Sequence, residues 1–287
     1  MSTPLTTPGE VVADGLAFTE VPRWHDGALW FGDMHAGSVY CLAASGELVE
    51  VVNIGEHSGG IGWLPDGSLL VVACASRRVL RFANGQLTVH VDLAETGSAE
   101  LNDMWVDRQG RAYVGDMGFD IHEFGRLMLA GQTEKAMALV RPSEVFLVQP
   151  DGSYSSAAQS PMMFPNGIVV DEEKRELVVA ESFALKLSAW PILSDGRLGD
   201  GRDLADLGFA PDGIALDPSG GVWVADPTNC RVVLVDEAGQ QVREISLEHK
   251  GISVTVGDGA LYVATSPVTD PGETATQRAA RIERFVL

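Results

Sequence analysis

The chain has 287 residues, 45% hydrophobic and 21% charged, a composition typical of a globular protein with a substantial core. Its 40 acidic and 20 basic side chains give a formal net charge of −20, which opposes binding to nucleic acid or to an anionic membrane. Residues 1–10 lack the basic and apolar regions of a leader, and no apolar run is long enough to span a membrane, so the sequence predicts a cytoplasmic protein.

A repeated unit organises the chain: a short apolar strand, a turn centred on Asp and Gly, and a second apolar strand that ends in a small residue. The six copies are WHDGALWFGD from Trp24, GWLPDGSLLVVA from Gly62, MWVDRQGRAYVGD from Met104, GIVVDEEKRELVVAE from Gly167, GIALDPSGGVWVAD from Gly213 and SVTVGDGALYVAT from Ser253. Their turns are 40, 43, 65, 45 and 39 residues apart, close to the length of a four-stranded blade. The sequence therefore predicts an all-β fold, a six-bladed β-propeller that forms a single domain over residues 1–287.

The segments between these hairpins are weaker alternating runs, such as RVLRFANGQLTVHVDL and RVVLVDEAGQQVREISL. Period-two alternation predicts that they supply the two outer strands of each blade. A ring of blades must also be closed, because an open last sheet leaves an unpaired edge. We expect residues 10–18 and residues 280–287 to share the last blade and close it.

The 65-residue step between the third and fourth copies contains about 20 surplus residues, within residues 117–145. A long loop on a compact fold is either functional or a simple insertion. The sequence leaves open whether this segment is a lid over one mouth of the ring.

The three cysteines, Cys41, Cys74 and Cys230, are far apart, and each lies in or beside an apolar run. Their spacing is not that of a disulfide framework. We expect three buried, reduced thiols.

The residues just before each repeat should converge on the axis, because the innermost strand of a blade begins near the central channel. These positions hold Glu20, His57 and Ser58, Asn102 and Asp103, Asn166, Asp212, and Gly251. Glu20, Asn166 and Asp212 form a predicted ring of hard oxygen donors, with Asn102 or Asp103 as a candidate fourth. This set predicts one divalent metal ion, Ca²⁺ in first place, although Mn²⁺, Mg²⁺, Zn²⁺ and Fe²⁺ accept the same ligands.

Asn166-Gly167 and Asp212-Gly213 also have the composition of tight turns. However, the turn signals of these blades, such as DEEKR and DPSGG, come several residues later. We therefore interpret the polar residues as site residues. In the absence of a metal ion, Glu20 and Asp212 would repel each other, and at least one of their pKa values would rise.

Four segments, EVPRW, LNDMWVDRQGR, FPNGIVVDEE and PDGIALDPSGGVWVAD, resemble the metal-site strings of the regucalcin, senescence marker protein and gluconolactonase-like family. The resemblance covers nearly the whole chain and implies a six-bladed propeller with one divalent metal ion; many members hydrolyse lactones. Carried over by position, it implies that Glu20, Asn166 and Asp212 are metal ligands. Asn102 resembles a substrate-side or fourth ligand, and Asp103 a supporting residue.

Two departures from the family pattern concern the substrate. Sugar-lactone members commonly have a basic residue where this chain has Glu100, and small or basic residues where it has Met104 and Trp105. The nearby apolar residues indicate a less polar pocket; they are Met117, Phe119, Met162, Met163 and Phe164. We expect a relatively apolar lactone rather than a sugar lactone. The candidate substrate contacts are Asn102, Trp105, His57, Met117 and Phe119.

The expected activity is metal-dependent hydrolysis of a lactone or another carboxylic ester. The metal ion would polarise the carbonyl and stabilise the developing oxyanion. Asp212 would act as general base or as nucleophile, and Asn102 and Asp103 complete the predicted catalytic set. Two alternatives stay open: a phosphotriesterase on the same scaffold, and a propeller that binds metal without catalysis. The sequence predicts a small-molecule partner and leaves the oligomeric state open.

Overall fold

The structure, a computed structural model, describes residues 9–287. These residues form six four-stranded antiparallel sheets arranged as the blades of a β-propeller. The predicted fold class is confirmed. The predicted absence of a leader falls mainly on residues 1–8, which lie outside the described residues.

Each blade runs outward from the hub, and its first strand is the innermost. Blade 1 contains β2 (Thr19–His25), β3 (Ala28–Asp33), β4 (Ser38–Leu42) and β5 (Leu48–Asn53). Blade 2 contains β6 (Ser58–Trp63), β7 (Leu69–Ala73), β8 (Arg78–Ala83) and β9 (Gln86–Asp92). Blade 3 contains β10 (Leu101–Val106), β11 (Ala112–Asp116), β12 (Val145–Val148) and β13 (Tyr154–Ser156). The two predicted hairpin runs do supply outer strands, β8–β9 in blade 2 and β20–β21 in blade 5.

The remaining blades follow the same plan, and the last one joins the two ends of the chain. Blade 4 contains β14 (Pro165–Asp171), β15 (Glu176–Glu181), β16 (Lys186–Pro191) and β17 (Arg202–Asp206). Blade 5 contains β18 (Ile214–Leu216), β19 (Val222–Asp226), β20 (Arg231–Val235) and β21 (Gln241–Ser246). Blade 6 contains β22 (Lys250–Gly257), β23 (Ala260–Ser266), β24 (Ala280–Val286) and β1 (Glu10–Leu16).

Ring closure is as predicted, because β1 pairs with β24 on the outside of blade 6. The buried carboxylate of Asp33 at the end of β3 accepts hydrogen bonds from the N–H groups of Ala17 (3.0 Å) and Phe18 (2.8 Å). Arg278, just before β24, lies 3.6 Å from the same carboxylate. Asp33 therefore fastens both ends of the chain to blade 1.

The hydrophobic core lies between neighbouring blades, so the middle strands are covered on both faces. All residues of β7 and of β19 are buried. Burying one aliphatic side chain of this kind contributes about 1.5–3 kcal/mol relative to leaving it exposed. The continuous apolar runs of the repeat are thus explained by burial on two faces.

Glycines at the starts of inner strands allow neighbouring strands to approach closely at the hub. A Cβ on Gly167 would lie 2.5 Å from the carbonyl oxygen of Asp212, and one on Gly213 would lie 2.0 Å from Oγ of Ser253. Contacts this short are not tolerated. The Asn-Gly and Asp-Gly pairs therefore serve close packing at the axis and do not form the hairpin turns.

Three short helices flank one mouth of the ring. The insertion of blade 3 forms α1 (Ile121–Leu129) and α2 (Thr133–Met137), and α3 (Pro271–Gln277) precedes β24. Asp120 caps α1 by accepting a hydrogen bond of 2.8 Å from the N–H of Glu123. Within residues 9–287, no helix has the length and apolar character needed to cross a bilayer.

The three cysteines are free. Cys74 is buried as predicted, but Cys41 and Cys230 are only half-buried. Cys230 lies in the turn before β20 with a φ of 49°, which places it at the edge of its blade instead of inside the core.

Candidate functional site

Five of the eight predicted hub residues line one cavity of about 620 Å³, whereas Ser58, Asp103 and Gly251 do not. Glu20, Asn102, Asn166 and Asp212, from four different blades, all line it. Asp103 is buried and does not line the cavity. The structure therefore brings together all three predicted metal ligands and Asn102, and places Asp103 behind them.

Irregular pairing at the start of the inner strands aims these side chains at the axis. Five of the six inner strands carry a register shift at their first residues: β2 between Glu20 and Arg23, β6 between Ser58 and Ile61, β10 between Leu101 and Met104, β14 between Pro165 and Ile168, and β22 between Gly251 and Ser253. A bulge re-aims the side chains next to it and interrupts the alternation of the strand. The same device recurs around the ring, so polar residues at equivalent positions face one another.

Strained backbone accompanies the bulge of β2. Val21 has a φ of 46°, a conformation that a β-branched residue rarely adopts. Its N–H donates a hydrogen bond of 3.1 Å to Oε2 of Glu20. Strain of this kind is typical of functional sites, and here it orients the Glu20 carboxylate.

A chain of hydrogen bonds links blades 3, 4 and 5 at the hub. Nδ2 of Asn102 donates to Oδ1 of Asn166 (2.8 Å), and Nδ2 of Asn166 donates to Oγ of Ser182 (3.2 Å). Ser182 in turn donates to the carbonyl oxygen of Pro211 (2.6 Å), next to Asp212. Sequence reasoning missed Ser182, because it lies after β15 and outside the positions that precede each repeat.

The hub carboxylates are poorly solvated. Burial, followed by the charges of Asp212 and Asp103, raises the pKa of Glu20 well above its usual range. Burial and the charge of Asp103 raise the pKa of Asp212 in the same direction, and hydrogen bonds from Asn166 and Gly213 offset part of the rise. Burial raises the pKa of Asp103 to about 6 against the opposing effect of Arg23.

Arg23 is the one cation near these carboxylates that the structure describes as buried, and sequence reasoning missed it. Its guanidinium donates to the carbonyl oxygens of Pro22 and Met104, both at 2.9 Å, and lies 4.8 Å from the centre of the Trp105 ring. It makes no ion pair within 4.0 Å with Glu20, Asp103 or Asp212. Arg23 lies beneath the hub and compensates only part of its negative charge.

Trp105 is not part of the candidate site. It lines a second cavity of about 810 Å³ together with Arg23. The reason is its place on β10: Asn102 is near the start of the strand at the hub, whereas Trp105 is near the opposite end. The structure therefore separates Trp105 from the other predicted substrate contacts.

The walls of the candidate cavity are largely apolar. They are formed by Met34, Met117, Ile121, Phe124, Met128, Leu129 and Phe164. Phe119 does not line the cavity but packs behind it, with ring centroids 5.7 Å from both Phe124 and Phe164. Of the five Met and Phe residues that predicted an apolar pocket, Met117 and Phe164 line the cavity, whereas Met162 and Met163, like Phe119, do not. The insertion contributes one wall through α1.

Three histidines share the cavity: His57, which was predicted, and His35 and His122, which were missed. The ring centroid of His57 lies 5.0 Å from that of His35 and 6.0 Å from that of His122. Nδ1 of His35 lies 2.7 Å from Oγ1 of Thr274. Burial and the two other imidazoles lower the pKa of His35 to about 4, so it is neutral at pH 7. The sequence favours surface or loop positions for both because neither belongs to the repeat: His35 follows β3, and His122 lies in α1.

The hub donors suit an oxygen-preferring divalent cation. Two desolvated carboxylates, Glu20 and Asp212, lie with two amides and no ion-pair partner within 4.0 Å in the described chain. No three His, Cys, Asp or Glu side chains of residues 9–287 gather in metal-binding geometry, so a cation here also needs an amide oxygen. Asn166 and Asn102 are placed to supply it. The residues present fit such an ion.

Residues 18–266 match the family model described as the SMP-30/gluconolactonase/LRE-like region. The chain belongs to this family. Over 268 residues it is 25% identical to a 6-deoxy-6-sulfogluconolactonase from Pseudomonas putida, an alignment that covers 89% of this chain and 86% of that protein. It is 24% identical over 247 residues to regucalcin from Xenopus laevis, covering 83% and 78% of the two chains.

The fold of the family agrees with the structure described above. A calcium-binding protein, regucalcin, from Agrobacterium tumefaciens superposes with a TM-score of 0.78 at 18% identity, covering 100% of this chain and 96% of that one. The SMP-30/gluconolactonase/LRE-like assignment confirms the resemblance that four sequence segments indicated.

Proposed function

We propose that the protein is a divalent-metal-dependent lactonase whose reaction takes place in the cavity at the hub. The observation that carries this proposal is the meeting of Glu20, Asn102, Asn166 and Asp212, from four blades, at the floor of that cavity. The family supports hydrolysis of lactones in general, and one relative is by name a sulfogluconolactonase.

The cation would be held by Glu20, Asn166 and Asp212, with Asn102 as a further donor. Ca²⁺ is the first choice because all these donors are oxygens, and a structural relative is described as calcium-binding. When bound, such an ion supplies polarisation of the substrate carbonyl and charge stabilisation for the oxyanion. The carboxylates of the chain offset the charge of the ion.

Asp212 is the residue that we propose as general base or nucleophile. It is half-buried and opens on the cavity, whereas Glu20 is only 8% exposed. A pKa raised by burial suits a carboxylate that must take a proton near neutral pH. Asp103, which does not line the cavity, supports the site through its charge and its place next to Asn102.

The substrate we propose is a lactone with an apolar substituent. The wall formed by Met117, Phe124, Phe164 and the exposed residues of α1 offers aliphatic and aromatic surface, whereas a polyhydroxylated sugar needs many hydrogen-bonding groups. We also propose that the insertion covers this mouth when substrate is bound. The three free cysteines support the prediction of a cytoplasmic enzyme. The six sheets of the propeller support the prediction of a single domain.

The test combines elemental analysis with a substrate panel: alkyl lactones, aldonolactones and a fluorophosphate, each with and without chelator. We expect hydrolysis of alkyl lactones that chelator abolishes. Asp212→Asn should lower kcat by at least about 100-fold, whereas the exposed control Asp203→Asn should not. Preferred cleavage of the fluorophosphate would replace the proposal by a phosphotriesterase. Tight metal binding without any hydrolysis would replace it by a scaffold.

A further inference from the structure

Two imidazoles in the candidate cavity have ring nitrogens that no other protein group satisfies. Within residues 9–287, neither His57 nor His122 makes a side-chain hydrogen bond through its ring. Oε1 of Glu100 lies 3.7 Å from Nε2 of His122, which is beyond hydrogen-bond distance, and the His122 side chain is 47% exposed, so solvent reaches its ring until a ligand covers it. His35 differs from them, because Thr274 occupies its Nδ1.

These imidazoles lie beside the apolar part of the cavity wall. His122 lies in the first turn of α1, next to Ile121, and Met117 and Phe124 line the same cavity. His57 directly precedes β6, and its side chain lies close to both His35 and His122. An unsatisfied polar group in apolar surroundings loses hydrogen bonds once water is displaced. A ligand filling this cavity must therefore supply partners for the two rings.

The charges around the two rings favour a neutral partner over an anion. Burial and the neighbouring His122 lower the pKa of His57, which favours its neutral ring. Glu100 faces His122. Arg126 lines the same cavity, but its guanidinium is paired with Glu123. A carboxylate or phosphate placed beside His122 would be repelled by Glu100. A neutral imidazole offers one donor and one acceptor, which matches an amide or a hydroxyl.

We infer that the substrate is a lactone whose apolar substituent carries a hydrogen-bonding amide or hydroxyl group, and that His57 and His122 bind this group. This inference rests on the proposed lactonase function and names its substrate class. It assigns specificity to two side chains, of which His122 belongs to the insertion. The insertion thereby selects the substrate by its polar group as well as by its apolar surface.

The test compares matched γ-lactones whose side chains have equal length and differ only in an amide, a hydroxyl or a methylene at the same position. We expect kcat/KM to be about 5- to 50-fold higher for the amide or hydroxyl compound, as one or two neutral hydrogen bonds imply. His57→Leu and His122→Leu should each reduce this preference, mainly through a higher KM for the amide and hydroxyl compounds. His57→Gln should retain part of the preference, and the distant control His249→Leu all of it.

Binding of side-chain-matched cyclopentanones, which lack the ester bond, separates this inference from the proposed function. Calorimetry should show the same 5- to 50-fold preference in the wild type and its loss in the double variant. Tight, selective binding without lactone hydrolysis would sink the lactonase proposal and keep the recognition role of the histidines. Equal binding of polar and methylene compounds by folded wild-type protein would overturn the inference. Thermal unfolding of each variant checks that it is folded.

Discussion

At the hub, three carboxylates lie near a single guanidinium. This excess of negative charge favours binding of a cation. Glu20, Asp103 and Asp212 are desolvated, and Arg23 lies below them. The pKa of each of these carboxyl groups is raised, so the folded, metal-free protein retains protons at pH values where the unfolded chain has released them. A divalent cation would remove this cost, which couples metal binding to folding.

Glu20→Gln tests this coupling. The folded-state pKa of Glu20 is raised, so its contribution to stability is present at low pH and is lost as pH rises above its unfolded value of 4.5. The amide removes one buried charge and keeps an oxygen. With chelator at pH 8, we expect the free energy of unfolding to rise by about 1–3 kcal/mol. Stabilisation by added Ca²⁺ should shrink.

Urea unfolding with chelator and with Ca²⁺ measures both effects. The exposed Glu95→Gln serves as the matched control and should change neither. A metal-free Glu20→Gln protein that is less stable than the wild type would contradict the electrostatic account of the hub.

Asp116 provides a pH test at a carboxyl group that is not a proposed metal ligand. Burial raises its pKa to about 6, with a smaller opposing effect of the N–H of Gly118. Between about pH 4 and pH 6 the folded state binds the extra proton, so this contribution to stability falls as pH rises. Asp116→Asn keeps an acceptor for the 2.9 Å hydrogen bond from Gly118. It should match the wild type at pH 4 and exceed it by about 1–3 kcal/mol at pH 8.

Denaturant unfolding at pH 4, 6 and 8 measures this difference. A constant difference between variant and wild type across the three pH values would mean that Asp116 does not titrate in the expected range.

The residues found from sequence and those that were missed differ in one respect. The residues found from sequence occupy equivalent positions in the repeat, and such positions can be recognised from sequence spacing alone. They are Glu20, Asn102, Asn166 and Asp212. Arg23, Ser182, His35 and His122 do not occupy such positions. Their roles depend on depth in the channel and on loop conformation, which repeat spacing does not contain. Trp105 was misplaced because the two ends of an inner strand lie at opposite mouths of the channel, and Trp105 is near the end of β10 opposite to Asn102.

At the scale of elements, the insertion of blade 3 packs against the propeller at one residue and is exposed to solvent at another. Phe124 packs on Phe183 at 5.2 Å and lines the cavity. Leu129, at the end of α1, is 87% exposed and also borders the cavity. The sequence indicated surplus length here but not its helices, since α1 has only nine residues and includes Gly125. A short helix of this kind depends on tertiary contacts.

Phe124→Ala should loosen this wall without unfolding the propeller. It removes ring contacts from a partly exposed site, so we expect little change in global stability and faster proteolysis within residues 120–142. KM for apolar lactones should rise about 5- to 20-fold, as the loss of one aromatic contact implies, with kcat nearly unchanged.

Met137→Ala is the matched control, because Met137 lies in α2, is 51% exposed and does not line the cavity. Kinetics and limited proteolysis of the two variants give the comparison. Equal KM for Phe124→Ala and wild type would show that α1 is not part of the substrate wall.

For the whole molecule, the repeat made the fold predictable from sequence. The structure of the loops at the two mouths of the ring could not be predicted in this way. Every blade reuses one hairpin pattern, and closure follows because an open ring leaves an edge. The loops after the hairpins do not repeat, so the walls built from residues 117–145 and from α3 could not be derived in the same way. The repeated hairpins determine the fold, whereas the non-repeating loops form the walls of the substrate cavity.

Ring closure yields the last prediction. Removing the chain up to Leu16 deletes β1, leaves β24 as an unpaired edge and exposes the contacts of buried Ala13 and Leu16. Ala17 and Phe18 would become the new chain terminus, so their hydrogen bonds to the buried carboxylate of Asp33 would weaken. We expect a loss of more than about 3 kcal/mol and aggregation through the free edge.

A circular permutant separates closure from mere chain length. Gly9 lies against the ring of Phe285, and Glu10 pairs with Arg284, so a short linker can join Gly9 to Leu287 once residues 1–8 are deleted. New ends placed at the exposed turn of Gly46 would keep all six sheets intact. The permutant should unfold cooperatively within a few degrees of the wild type, while the truncated chain should not. Because both proteins keep the hub, equal stability of the truncated chain would show that blade 6 is held by contacts with its neighbours alone, without β1.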